Sequence, residues 1–230
     1  MIKRIIHIAD LHIRTIQLHD LYKRQFETFL LDVEDKISGL APNEIRFVIA
    51  GDINHQKITI SNEQLTLTSW FLNELAKRGV VVILPGNHDF LENNIDRLDT
   101  ITPLVELLQN PNIVYYKDKG VYDDEEIKWV IYSLYQHNER PEFTKEDGKF
   151  YVGLFHSPIQ GMATDLGFKF DDGYDKLNFV DLDLLLCGDI HLRQAFKLPG
   201  GGQAIFTPRG RKMTCFCRLF FSFKYSFRGR

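Results

Sequence analysis

Cysteine is scarce and odd in number: Cys187 sits in an apolar run, and Cys215 and Cys217 stand near the end of the chain. Three cysteines make no disulfide framework, and the count suits a reducing compartment. No stretch is long and apolar enough to span a membrane. The short N-terminal apolar run leads at once into aspartate and histidine, which argues against a signal peptide; a cytoplasmic location and no membrane partner are expected. Internal repeats are lacking, which leaves no basis for a repeat architecture. Acidic residues are missing after Asp189: residues 190–230 hold nine Lys/Arg and no Asp/Glu. The body, residues 1–189, therefore carries 19 of the 28 basic residues against all 31 acidic ones, a balance of −12. Such a body does not advertise a polyanion partner, whereas the basic tail does.

What is present is the composition of a folded domain. At 230 residues, 44% hydrophobic and 26% charged, the chain suffices for one full domain with a small appendage. Residues 2–9 read as a buried first strand followed by Asp10-Leu11-His12. Phe26, Phe29, Leu30, Val33 and Ile37 recur at helical intervals, which predicts a helix over about 19–38. Residues 47–50 form a second strand, with Gly51-Asp52-Ile53-Asn54-His55 after it. Ser61, with Gln64 three residues later, marks a helix start, and Gly79 ends that helix. The run 80–84 is a third strand; it exits through a Pro-Gly turn into Gly86-Asn87-His88-Asp89. Thr102-Pro103 opens a short helix. Strands are further expected at 129–132, at 150–155 ending on His156, and at 182–187 leading into Gly188-Asp189-Ile190-His191. Residues 136–149 read as a loop, and so does the long stretch 157–180, a length that is often functional or mobile.

Strands alternating with helices predict an α/β fold, mixed or parallel, with helices covering the sheet. Sites in such folds form beyond the carboxyl ends of the strands. Five strand ends carry metal-ligand chemistry: Asp10/His12, Asp52, Asn87/His88, His156 and Asp189/His191. Singly, each has an ordinary explanation as a turn, a cap or a packed histidine; jointly, they point to metal. Asp10 and His12 are two apart, as are Asp189 and His191, so an extended chain would aim each pair to one side. Asp, His and Asn without Cys suit Mn, Fe, Zn or Mg rather than a thiolate-bound structural zinc. The donors are too many for one tetrahedral ion and about right for two ions sharing a carboxylate. Paired ions roughly 3.5–4 Å apart clamp a phosphoryl group and generate hydroxide near neutral pH. His7, His19 and His137 show no such pattern.

Asp10-x-His12, Gly51-Asp52, Gly86-Asn87-His88-Asp89, His156 and Gly188-x-x-His191 resemble, in order, the five signatures of the calcineurin-like metallophosphoesterases. The resemblance covers about residues 1–205 and implies a two-sheet β-sandwich flanked by helices, with a dinuclear site at one edge. It implies that Asp10, His12, Asp52 and His191 hold one ion. Asp52 would bridge, and Asn87, His156 and Asp189 would hold the second. His88 would stand by the scissile phosphate, stabilise charge and protonate the leaving oxygen. The family usually has Gly-His-x-His where this chain has Gly188-Asp189-Ile190-His191. An aspartate there removes one positive charge from the loaded site and tilts the choice of metal toward Mn or Mg. Asp189 could instead hydrogen-bond nearby and leave the second ion weak.

Protein phosphatases of the family carry Asp-Arg-Gly at the second motif; this chain has Asp52-Ile53-Asn54-His55, with Ser61 opening the next helix. That resembles the SbcD-type DNA-repair nucleases, including phage members, and implies metal-dependent exo/endonuclease action. His55 would seat the DNA strand, and an SbcC-type ATPase would be the partner; a homodimer is compatible, and a phage protein would work in its host's cytoplasm. A small-molecule phosphodiesterase or phosphatase on the same site, or a non-catalytic scaffold with a decayed site, are the alternatives. Residues 206–230 form a basic, aromatic tail whose alternation would suit a strand and single-strand binding. The Gly-Ser strand expected after Ala204-Ile205 does not appear, as a truncated or frameshifted reading frame would produce.

Overall fold

The computed structural model describes residues 1–164, 166–207 and 220–222. Its strands are β1 (Arg4–Ile8), β2 (Ile45–Ala50), β3 (Val80–Leu84), β4 (Ile113–Tyr115), β5 (Gly120–Asp124), β6 (Ile127–Ile131), β7 (Phe150–His156), β8 (Leu184–Gly188), β9 (Gln194–Lys197), β10 (Gln203–Phe206) and β11 (Phe220–Ser222). The helices are α1 (His19–Ile37), α2 (Asn62–Ala76) and α3 (Thr102–Leu108). One sheet runs β11-β1-β2-β3-β4, the other β5-β6-β7-β8-β10-β9. In the first, β1 to β4 are parallel and β11 pairs antiparallel with β1. In the second, β6-β7-β8-β10 are parallel and β5 and β9 are antiparallel edges.

The near-continuous apolar runs of β2 and β3 reflect burial on both faces. One face of the first sheet (Ile6, Ile8, Phe47, Ile49, Val81, Ile83) meets the helices through Phe26, Phe29, Val33, Phe71 and Leu75. Phe26 stacks on Phe71 at 4.0 Å and locks α1 to α2. The opposite face (Ile5, Val48, Val82, Leu84) packs on Trp129, Ile131, Val152, Leu154, Leu184 and Leu186 of the second sheet. Two apolar layers pressed together in this way are the core of the expected α/β sandwich.

The helices flank the first sheet, and the outer face of the second is closed by the long loop, which buries Ile159, Met162 and Phe179 against Tyr132, Phe155 and Leu185. A packing duty therefore accounts for the length of that loop. Four strands escaped the sequence reading, β4, β5, β9 and β10, because they are short or polar; three of them are sheet edges and the fourth, β10, lies beside one. Residue 205 lies inside β10, whose Phe206 is fully buried. Cys215, Cys217 and most of the tail lie outside the described residues; Phe220–Ser222 pairs with β1.

His7 shares the sandwich-facing side of β1 with Ile5 and is wholly buried. Neither ring nitrogen has a partner among the described residues. Burial lowers its pKa to about 3. Below pH 6.5 the unfolded chain binds a proton that the folded one refuses, so this residue costs stability as pH falls from 6.5 toward 3. By pH 4 the cost is about 3 kcal/mol at 1.4 kcal/mol per unit. In urea titrations at pH 7 and pH 4, His7→Leu is expected to lose less stability on acidification than wild type by about that amount; equal losses would contradict it.

Candidate metal centre

The carboxyl ends of β1, β2 and β3 from one sheet and β7 and β8 from the other meet at one edge of the sandwich, and all nine residues singled out above lie there. The extended-chain reading of the Asp-x-His pairs does not hold. Asp10 (φ 55°), His12 (φ 45°), Asp52 (φ 53°) and Asp189 (φ 75°) all adopt left-handed backbone. Each chain turns sharply as it leaves its strand, and that turn aims the side chains inward. Asp and His tolerate this region better than branched residues, and clustered outliers of this kind mark functional sites.

His156 ties the sheets together. Its Nδ1–H donates to the carbonyl of Ala50 at 2.8 Å. That bond fixes the tautomer, so Nε2 faces the site, 3.4 Å from Asp52 Oδ1, 3.2 Å from Asn87 Oδ1 and 4.0 Å from Asp189 Oδ1. The packing leaves no room for a methyl group: a Cβ on Gly51 would meet His156 Nδ1 at 2.1 Å, and one on Gly188 would meet the Ala50 oxygen at 2.0 Å. On the other side, His12 Nε2 lies 3.3 Å from Asp52 Oδ2. Asp10, His12 and His191 offer donor atoms all within 4.8 Å of one another, as do Asp10, Asp52 and His156. Asp52 thus faces His12 with one oxygen and His156 with the other. Asp10 belongs to both clusters, more central than a ligand of one ion alone. Asp189 donates its N–H to Asp10 Oδ1 at 3.0 Å, while its carboxylate stands at the rim of the second cluster.

Electrostatics ask for a cation. Burial, reinforced by Asp52, pushes Asp10 up to about 7. Burial also raises Asp189. Burial alone would raise Asp52, but the His156 imidazole beside it holds it well below the usual carboxylate range. Burial would lower His156; Asp52, Asp10 and Asp189 override it and raise it to about 10. Among the described residues no lysine or arginine forms an ion pair with Asp10, Asp52 or Asp189, and Asp10 Oδ2 is buried without a hydrogen bond. Buried carboxylates with no lysine or arginine beside them, facing imidazole nitrogens that can give up their protons to a metal, fit divalent metal ions.

His88 stands at the mouth. Its backbone N–H donates to Asp52 Oδ1 at 2.9 Å, and its ring Nδ1–H donates to the His55 carbonyl at 2.8 Å. The His55 ring lies beside it, centroids 5.5 Å apart and nearly parallel. The sequence reading gave no task to Asp89. Its buried carboxylate accepts from the N–H groups of Ile53 (3.3 Å), Asn54 (3.0 Å) and Gly86 (2.9 Å), stitching the Asp52 loop to the Asn87-His88 turn. Burial, then Asp52, raises it to about 7. Asn54, wholly buried, continues the stitch to Thr100 and Gln64. An acidic residue closing a Gly-Asn-His turn was the available signal.

Residues 3–193 match the family profile described as calcineurin-like phosphoesterase. An uncharacterized protein of Acanthamoeba polyphaga mimivirus, R555, is 31% identical over 203 residues, covering 83% of this chain; the chain spans 15% of that relative's length. A dimetal phosphatase from Danio rerio superposes with a TM-score of 0.48 at 10% identity, over 90% of this chain and 87% of that one. A 5′-nucleotidase precursor from Thermus thermophilus gives 0.42 at 14% identity, over 90% and 48%. The family profile spans all five strand ends that build the centre, and the chain belongs to the calcineurin-like phosphoesterases.

Proposed function

We propose that the chain cleaves phosphodiester bonds in DNA, as a nuclease of the SbcD type acting in repair or recombination. The observation that carries this reading is His55, three residues after Asp52, whose carbonyl holds His88 and whose ring extends the same face of the site. A monoester needs one group at its leaving oxygen; a strand that continues past the scissile bond needs further groups to seat it, and in this reading His55 supplies one. Asp10, His12, Asp52 and His191 would hold one divalent ion, and Asp52, Asn87, His156 and Asp189 the other. When bound, the ions neutralise phosphoryl charge and supply an activated water. The carboxylate-rich donors favour Mn over softer ions. His88, with Nδ1–H fixed on the His55 carbonyl, points Nε2 at the departing oxygen and hands it a proton. An SbcC-type ATPase would gate DNA access, in the cytoplasm of a cell or of a phage's host, and the nuclease could act as a homodimer.

One observation favours the rival reading, a small-molecule phosphodiesterase or phosphatase. The acidic body offers little backbone-binding charge, and Lys57, beside the site, is paired with Glu92 at 2.8 Å. Mn-supplemented assays on linear DNA and on bis-p-nitrophenyl phosphate separate the two. DNA cleavage is expected; hydrolysis of the small ester alone overturns the nuclease proposal. Failure to bind any divalent ion would leave a scaffold.

A further inference from the structure

We infer an alternative ion site at the mouth of the centre, sharing His12 with it: His12, His55 and His88 form an all-imidazole pocket that takes zinc and thereby blocks the enzyme. The three residues come from different strand ends, and one ring nitrogen of each lies within 4.8 Å of the others. Ring centroids are 5.5 Å apart for His12–His55, 4.8 Å for His12–His88 and 5.5 Å for His55–His88. His12 meets the other two edge-on, at 77° and 89°. Zinc–imidazole bonds of about 2.0–2.1 Å at tetrahedral angles set nitrogens roughly 3.3 Å apart, so nitrogens that already lie within 4.8 Å of one another need close by at most about 1.5 Å. His12 is buried, and His55 and His88 are half-buried. Three imidazoles leave a fourth position for water or an anion.

The donor chemistry separates this pocket from its neighbours. The adjoining clusters, Asp10/His12/His191 and Asp10/Asp52/His156, contain carboxylates and suit hard ions such as Mn or Mg. The three-imidazole set has no oxygen ligand from the protein and selects Zn, Ni or Cu over Mn. His12 is common to both, so zinc in the upper pocket competes with the centre for it. His88 is the second conflict. Its Nδ1–H is committed to the His55 carbonyl, so it meets zinc through Nε2, the nitrogen that serves the leaving oxygen. Zinc there removes the proton donor and occludes the substrate's approach. The inference holds for DNA or a small ester alike, since it needs only the phosphoesterase centre.

His55 belongs to the three-imidazole cluster and to neither carboxylate cluster, which makes it the test position. Zinc affinity is measured against a chromophoric chelator, and Mn affinity by electron paramagnetic resonance, for wild type, His55→Ala and His55→Asn. Visible absorption of Co²⁺, as a zinc surrogate, reports four-coordinate imidazole ligation. Wild type is expected to bind zinc at least about tenfold more tightly than either variant, the scale of losing one supporting group at a metal site. Mn affinity should be unchanged within twofold, and the tetrahedral Co²⁺ band should weaken in the variants. Equal zinc affinity in all three proteins overturns the site. A parallel loss of Mn also overturns it, because His55 would then belong to the centre. The asparagine variant, close in size and polar, guards against a folding defect, which circular dichroism would reveal.

Discussion

Replacing Asp52 by asparagine is expected to abolish the stabilisation that Mn confers on the wild-type fold. Wild type at a hundredfold excess of metal over its dissociation constant should gain about 2.7 kcal/mol per site. For a chain of this size that corresponds to a rise of about 5–10 °C in melting temperature. Asparagine tolerates the left-handed backbone at position 52, φ 53°, and can still accept from the His88 N–H, so the loop is preserved. What it loses is the charge between His12 and His156, the carboxylate placed to face both ions. Metal affinity should fall by about 100-fold or more, beyond the range for removing an outer partner of a ligand. Protons compete with the ions for these carboxylates, and Asp10 is raised to about 7. The wild-type gain should therefore shrink as pH drops below 7 and grow as it rises, while the variant stays flat. Calorimetric melting with and without Mn at pH 6 and pH 8 checks both points. A full metal-dependent rise in the variant would exclude Asp52 from the centre.

The residues of this centre were legible because each stands where a strand leaves the sheet, and a strand exit is visible as an apolar run broken by Gly and Asp. Their convergence followed from parallel strands presenting their carboxyl ends to one edge. How the side chains are aimed was not legible. An Asp-x-His spelling says nothing about the sign of φ, and the assumption of extended chain failed at Asp10 and His12, where the backbone is left-handed. Asp89 was missed for a related reason: its work is to accept from three backbone N–H groups, and backbone donors leave no mark on a sequence. Short strands such as β4 and β9 escaped because four residues or fewer show no period. The role of the long loop escaped because Ile159, Met162 and Phe179 are too widely spaced to resemble an element, although they cover a sheet face that no α-helix among the described residues covers.

His88→Gln should lower DNA cleavage by about 10²–10⁴-fold, the usual worth of a positioned general acid, while leaving metal affinity intact. The two effects separate because His88 is attached to the centre through its backbone, the N–H donating to Asp52 Oδ1, and a change of side chain leaves that bond in place. Glutamine can renew the contact with the His55 carbonyl, so the neighbouring loop keeps its anchor. It cannot deliver a proton. The size of the loss should therefore follow the leaving group. A sugar alkoxide departing from DNA is strongly basic and depends on the acid. p-Nitrophenolate leaves without help, so hydrolysis of bis-p-nitrophenyl phosphate should fall far less. If both substrates lose equally, His88 acts by stabilising phosphoryl charge rather than by protonation, since charge builds on the phosphoryl oxygens whatever departs. If neither loses, the ring at the mouth has no part in the reaction, and the proton must reach the leaving oxygen from water.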